Sequence, residues 1–87
     1  MVLEAYEEEV LEAMYDNHLI GNQYSSIQNV SSRIKWQAIC QKYGIKKKFS
    51  KVIKRLANKG YIDTHGKSGN VAALTKLGVL YVLGKKS

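Results

Sequence analysis

From Leu3 to about Asn17, the apolar residues Leu3, Tyr6, Val10, Ala13 and Met14 recur at helical spacing and gather into one stripe. Glu4, Glu7 and Glu8 sit near the start, where the helix dipole favours anions. A second pair, Leu11 and Tyr15, widens the apolar arc beyond one packing face. It reads either as a broad core contact or as contact with a partner subunit. Asn17 to Gly21 ends this helix.

Residues 22–32 give two readings. Ser25-Ser26-Ile27-Gln28 can open a short helix as a capping box, with Ile27, Val30 and Ile34 inward. The same residues can form a loop with a short strand. Ser31 or Ser32 then caps a helix running to about Tyr43, whose buried stripe is Trp36, Ile39, Cys40 and Tyr43. Gly44 supplies the turn after it.

A basic helix follows from Ile45 to Asn58, with Ile45, Phe49, Val52, Ile53 and Leu56 on one face. Rotation at about 100° per residue puts Lys47, Lys51, Lys54 and Asn58 on the opposite face, with Ser50 and Arg55 on the flanks. Gly60 closes it. Two helices joined by a three- or four-residue turn containing Gly form a helix-turn-helix pattern.

Tyr61 to His65 and Val71 to Leu74 read as two strands around the turn cluster Gly66-Lys67-Ser68-Gly69-Asn70, a single β-hairpin. Thr75 caps a last helix from Lys76 to about Leu83, which Gly84 closes. That helix is apolar nearly all round, so it is either wrapped by its own chain or paired with another.

The elements fit one domain over residues 1–87: an acidic first helix in 1–20, the helix-turn-helix in 32–59, the hairpin in 61–74 and the closing helix in 75–84. The expected class is mainly α with a small β-hairpin, having three to four helices plus a C-terminal one.

Charge changes the picture most. The net charge is +7, but six of the seven acids lie in the first twenty residues, which hold no Lys or Arg. From Gly21 onward, fourteen Lys and Arg face one acid, Asp63. Seven of the fourteen residues from Lys46 to Lys59 are basic. This segregation predicts an acidic face and a basic face, and the basic one reads as an electrostatic footprint for nucleic acid.

Other chemistry is sparse. Cys40 is the single cysteine, so no intramolecular disulfide forms, which suits a cytoplasmic setting. The acidic N-terminus is unlike a signal or transit peptide, and no apolar run approaches the roughly 20 residues of a membrane span. His18 and His65 lie far apart without a third ligand at metal spacing, so no metal or other cofactor is expected. Glu8 and Glu9 point to different faces and make no catalytic pair, and no glycine-rich phosphate loop or nucleophile grouping is present. The expectation is a protein that is not an enzyme.

The order helix, helix-turn-helix, hairpin, helix resembles the winged-helix DNA-binding domain, of the kind found in small MarR- and PadR-type regulators. IKRLANKGYI matches the end of a recognition helix passing into the first wing strand, and AALTKLG matches the second wing strand leading into the closing helix. Lysine richness and compactness point to an archaeal or archaeal-virus regulator, in the latter case acting in host cytoplasm. The resemblance implies that the helix from Lys46 to Asn58 lies in the major groove of duplex DNA. Lys47, Ser50, Lys51, Lys54 and Asn58 would face the DNA, while Lys46, Lys48 and Arg55 flank the helix and suit phosphates. His65 and Lys67 would place the wing, and Lys35 and Lys42 would reach phosphates. Lysines at the start of this helix, where such domains often carry Ser or Thr, favour phosphate contact over base reading. A homodimer is expected through Leu11, Tyr15, Leu77, Leu80, Tyr81 and Leu83. No small-molecule effector is indicated. Two other functions fit the same sequence: a winged helix used as a protein–protein adaptor, and RNA binding.

Overall fold

A computed structural model describes residues 3–66 and 70–86, the side chain of Lys86 excepted. Among them are α1 (Ala5–Asp16), β1 (Ser25–Ser26), α2 (Ile27–Ile34), α3 (Trp36–Tyr43), α4 (Phe49–Asn58), β2 (Ile62–His65), β3 (Val71–Leu74) and α5 (Lys76–Lys86). The class is mixed α and β: five helices and a three-stranded antiparallel sheet in the order β1-β3-β2.

The predicted hairpin is there, with Ile62 opposite Leu74 and His65 opposite Val71. A third strand joins it, because Ser25 and Ser26 pair with Ala72 and Val71. Residues 22–32 therefore satisfy both readings at once, a short strand running directly into a short helix. The cap is one residue later than the capping-box reading: the Ser26 hydroxyl accepts from the Asn29 amide at 3.1 Å.

Local chemistry sets the helix ends. After α1, α3 and α4 the chain turns through left-handed residues, His18 (φ 61°), Gly44 (φ 63°) and Gly60 (φ 87°). In each case the next amide reaches back five residues: Leu19 to Met14, Ile45 to Cys40 and Tyr61 to Leu56, at 3.0–3.1 Å. This closure satisfies carbonyls that the helix end would leave unpaired.

Three expected boundaries move. Ser31 and Ser32 lie inside α2 and cap nothing. The break falls at Lys35, held left-handed at φ 59°, so α2 and α3 are separate helices. The basic helix starts at Phe49, not near Ile45; Gly44 to Lys48 form a non-helical connector of five residues, from left-handed Gly44 to extended Lys48 at ψ 130°. Ile45 and Phe49 both turn inward, and Phe49 packs on Trp36 with ring centroids 5.1 Å apart and planes tilted by 47°. Finally, α5 does not stop at Gly84 but continues to Lys86.

The core lies among the five helices and the sheet. Val10, Leu11, Met14, Val30, Ile53, Leu56, Leu74 and Val82 are wholly or almost wholly buried. Leu11 is therefore a core residue and offers no surface to a partner, which removes it from the dimer contacts. Gly78 lets α5 press against the turn after α4, since a Cβ there would collide with the Tyr61 carbonyl oxygen. Thr75 caps α5 through Gly78 N at 3.0 Å and donates to Gly60 O at 2.6 Å. No helix among the described residues is long and apolar enough to cross a membrane.

Candidate nucleic-acid interface

The apolar spine of α4 (Phe49, Val52, Ile53, Leu56) is buried against the core, which fixes the rotation of the helix. Ser50, Lys51, Lys54, Arg55 and Asn58 are left exposed. Grooves run along both flanks. One, of about 450 Å³, lies toward β2 and is lined by Ile27, Ser50, Lys51, Ile53, Lys54, Ala57, Asn58 and Thr64. The other, of about 430 Å³, lies toward α1 and is lined by Tyr6, Lys46, Lys47, Lys48, Lys51, Val52 and Arg55. Lys51 stands on the ridge between them.

The structure brings most of the predicted side chains together but alters several roles. Lys46, Lys47 and Lys48 are not on α4. They line the connector beside it. Lys47, expected beside Lys51 and Lys54 on the outer face, instead places its ammonium 5.6 Å from the centre of the Tyr6 ring. Arg55 Nε sits 3.2 Å from Glu7 Oε2, so its inner edge is taken by a fully buried carboxylate. Lys42, expected to reach phosphates, is exposed and bonds Glu9 at 2.8 Å. Lys35 is exposed at the α2–α3 junction, with Ser31, Ser32 and Trp36 beside it. No carboxylate lies within ion-pair distance of Lys35, Lys46, Lys48, Lys51 or Lys54 among the described residues.

The β2–β3 hairpin is described except for residues 67–69. His65 is exposed, with Nε2 3.4 Å from Asp63 Oδ2. The same oxygen accepts from the Tyr24 hydroxyl at 2.7 Å, and the Tyr24 and His65 rings meet edge to face at 4.4 Å. Asp63 raises the Tyr24 hydroxyl above its ordinary pKa through this bond. Tyr24 thus ties the segment before β1 to β2, a role that no local signal in its surroundings announces. Lys67 lies outside the described residues.

The acids of α1 do not form a separate acidic face. Each of four pairs with a cation delivered by a later element: Glu7 with Arg55, Glu9 with Lys42, and Glu8 and Glu12 with Lys85 at 3.1 and 3.7 Å. Tyr43 and Tyr81 add hydroxyl bonds to Glu9 and Glu8. Lys42 hydrogen-bonded to Glu9, and Tyr81 to Glu8, hold both carboxyls below their ordinary value. Tyr81 is pushed up to about 12 by Glu8. Its hydroxyl is thus engaged within the chain, by Glu8. The charge segregation of the sequence goes largely into docking α3, α4 and α5 to α1.

On α5, one face is covered and the other is not: Leu77, Leu80 and Leu83 are 50%, 54% and 42% exposed, in one row. Tyr15, on α1, is half-buried against the core. Among the described residues no three His, Cys, Asp or Glu side chains group to hold a metal ion. Compared with known proteins, the chain matches no family model, and no curated sequence or solved structure is significantly similar to it.

Proposed function

We propose that the chain is a winged helix-turn-helix protein that binds duplex DNA by laying the outer face of α4 in the major groove. The observation that carries this reading is the outer surface of α4 with its connector. There Lys46, Lys48, Lys51 and Lys54 lack acidic partners among the described residues, and Ser50, Asn58 and Thr64 stand beside them. Repulsion among these cations costs the folded chain stability that a polyanion would return. The element order and the β1-β3-β2 sheet support the winged-helix part, with α3, the connector and α4 as the helix-turn-helix and β2–β3 as the wing. Ser50 and Asn58 would make neutral hydrogen bonds near the bases, and the lysines would hold phosphates.

The exposed leucine row supports a homodimer. Leu77, Leu80 and Leu83 of two copies, crossing on a two-fold axis, would bury three leucines from each chain and present two α4 helices to one duplex. Sedimentation at micromolar concentration tests it: a species of twice the chain mass is expected, and a clean monomer ends the dimer reading. The same row favours the adaptor as a second reading, with the leucines docking on another protein.

Binding of random duplex at increasing salt separates the two. About six phosphate contacts give a log–log slope of about −5, at about −0.9 per contact. A slope shallower than about −2, or no binding at low salt, defeats the DNA reading and leaves the adaptor. Competition by structured RNA in the same assay tests the choice of nucleic acid.

A further inference from the structure

We infer that the groove between α4 and α1 is a phosphoryl-binding seat, formed by Lys46, Lys48, Lys51 and Arg55, with the buried Glu7 as the residue that positions Arg55. The inference rests on the duplex reading only for where the phosphoryl group comes from.

The groove holds about 430 Å³, within the range of ligand sites, and five cations line it with no acid among them. Its apolar wall is Tyr6 and Val52, both buried. That wall keeps water from one side and strengthens any charge pairing within. Two of the five cations are fixed from behind, Lys47 over the Tyr6 ring and Arg55 on Glu7. The other three have no acid to meet among the described residues.

Glu7 is the telling residue. It is fully buried in an otherwise apolar core. Its Oε1 accepts from the Glu4 amide at 2.9 Å, while Oε2 has no hydrogen bond and only the ion-pair approach of Arg55. Burying a carboxylate is costly unless it is paired. Here the pairing aims Arg55: Nε faces Glu7, and the remaining guanidinium, on a side chain 53% exposed, borders the groove. A planar guanidinium flanked by lysines on flexible stems matches a tetrahedral dianion or a phosphodiester. Two sources carry that chemistry, the backbone of a nucleic acid and a free phosphorylated small molecule.

Two-dimensional NMR of the full chain tests this with inorganic pyrophosphate and, separately, with random duplex. Pyrophosphate is expected to move the amides of Lys46 to Val52 and the Arg55 Nε–H. The exposed pair K46Q/K48Q should weaken pyrophosphate about tenfold and make the duplex salt slope shallower by about 2. E7Q should weaken pyrophosphate through Arg55 while K54Q does not; if E7Q fails to fold, K46Q/K48Q carries the test alone. A duplex slope reduced in K46Q/K48Q with no response to pyrophosphate upholds the seat and assigns its phosphoryl group to nucleic acid. A pyrophosphate response in a chain that ignores duplex also upholds the seat, assigns a free ligand and removes the DNA reading. Pyrophosphate binding unchanged in K46Q/K48Q overturns the seat, as does an unchanged duplex slope where pyrophosphate has no effect. A wild-type chain that binds neither ligand overturns both proposals.

Discussion

On the side of α4 that faces α1, Lys46, Lys47, Lys48, Lys51 and Arg55 share one groove with Tyr6 and Val52. On the side that faces β2, Ser50, Asn58 and Thr64 share a groove with Lys51, Lys54 and Ile27. The first flank is cationic and has no neutral hydrogen-bonding side chain except the Tyr6 phenol. The second mixes two lysines with a hydroxyl, an amide and a second hydroxyl. A lysine is a point charge that tolerates many acceptor positions, whereas an amide or hydroxyl demands a matched partner at a fixed distance. Were α4 to lie on DNA as proposed, one helix would separate holding a polyanion from discriminating between polyanions. Its buried spine decides which residue takes which task.

That dependence on the spine gives the largest expected effect. Leu56 is fully buried beneath both flanks. Leu56→Ala should cost roughly 2–5 kcal/mol of folding stability, the usual range for a buried leucine. Denaturant unfolding measures it. If binding on one flank survives a destabilisation of that size while the other fails, the two grooves do not share the rotation of α4, and the division of labour has another origin.

The next effect should be smaller and confined to one flank. Ser50→Ala with Asn58→Ala leaves every cation in place. Affinity for random duplex and its salt slope should therefore stay close to wild type. The spread of affinities across different duplex sequences should narrow, by about 1–3 kcal/mol for each bidentate pairing with a base that the substitutions abolish. A pool of randomised duplexes read before and after selection measures this. A wild-type chain that shows no spread at all would make α4 a holder only, and the neutral groove a consequence of solvent exposure.

Much of α4's character is legible in the chain because it is local. The period of Phe49, Val52, Ile53 and Leu56 sets the buried face, Gly44 and Gly60 set the turns, and Val71 to Leu74 forms the strand its composition suggests. What the chain hides depends on distance or on unmarked backbone. Lysine is a good helix former, and Ile45 and Phe49 keep helical spacing, so nothing in Lys46-Lys47-Lys48 marks a non-helical connector. The left-handed turn at Lys35 has no glycine to announce it. Arg55 meets Glu7 across 48 positions of chain and Tyr24 meets Asp63 across 39, so neither partner carries a periodic or motif signal. Leu11 looks surplus on α1 because a helical wheel does not show that α5 and the sheet enclose a second face.

The smallest expected effect concerns the contact of α5 with α1, the helix that lends Tyr6 to the cationic flank. The Tyr81 hydroxyl donates to Glu8, which pushes Tyr81 up to about 12 from an ordinary 10.0. Below pH 10 the phenol is protonated in both the folded and unfolded chains, and the bond contributes in full. Between about 10 and 12 the folded chain keeps a proton that the unfolded chain has released, so stability falls as pH rises through that window. Glu8 behaves oppositely: its pKa is held below 4.5, chiefly by the Tyr81 bond, so its contribution is present above 4.5 and is lost as pH falls through the lowered value. Tyr81→Phe removes the first effect and weakens the second, which Lys85 still supports. Its thermal midpoint should decline less than wild type between pH 10 and 12, and the two curves should converge below pH 4.5. Hydrogen exchange in acid then addresses the comparison itself. Because Glu8 and Glu9, both held below their ordinary value, dock α1 to α5 and α3, amides of α1 should lose protection before those of Ile62 to His65. A uniform loss would mean that both flanks of α4 belong to one cooperative unit, and that separating their tasks did not separate their stabilities.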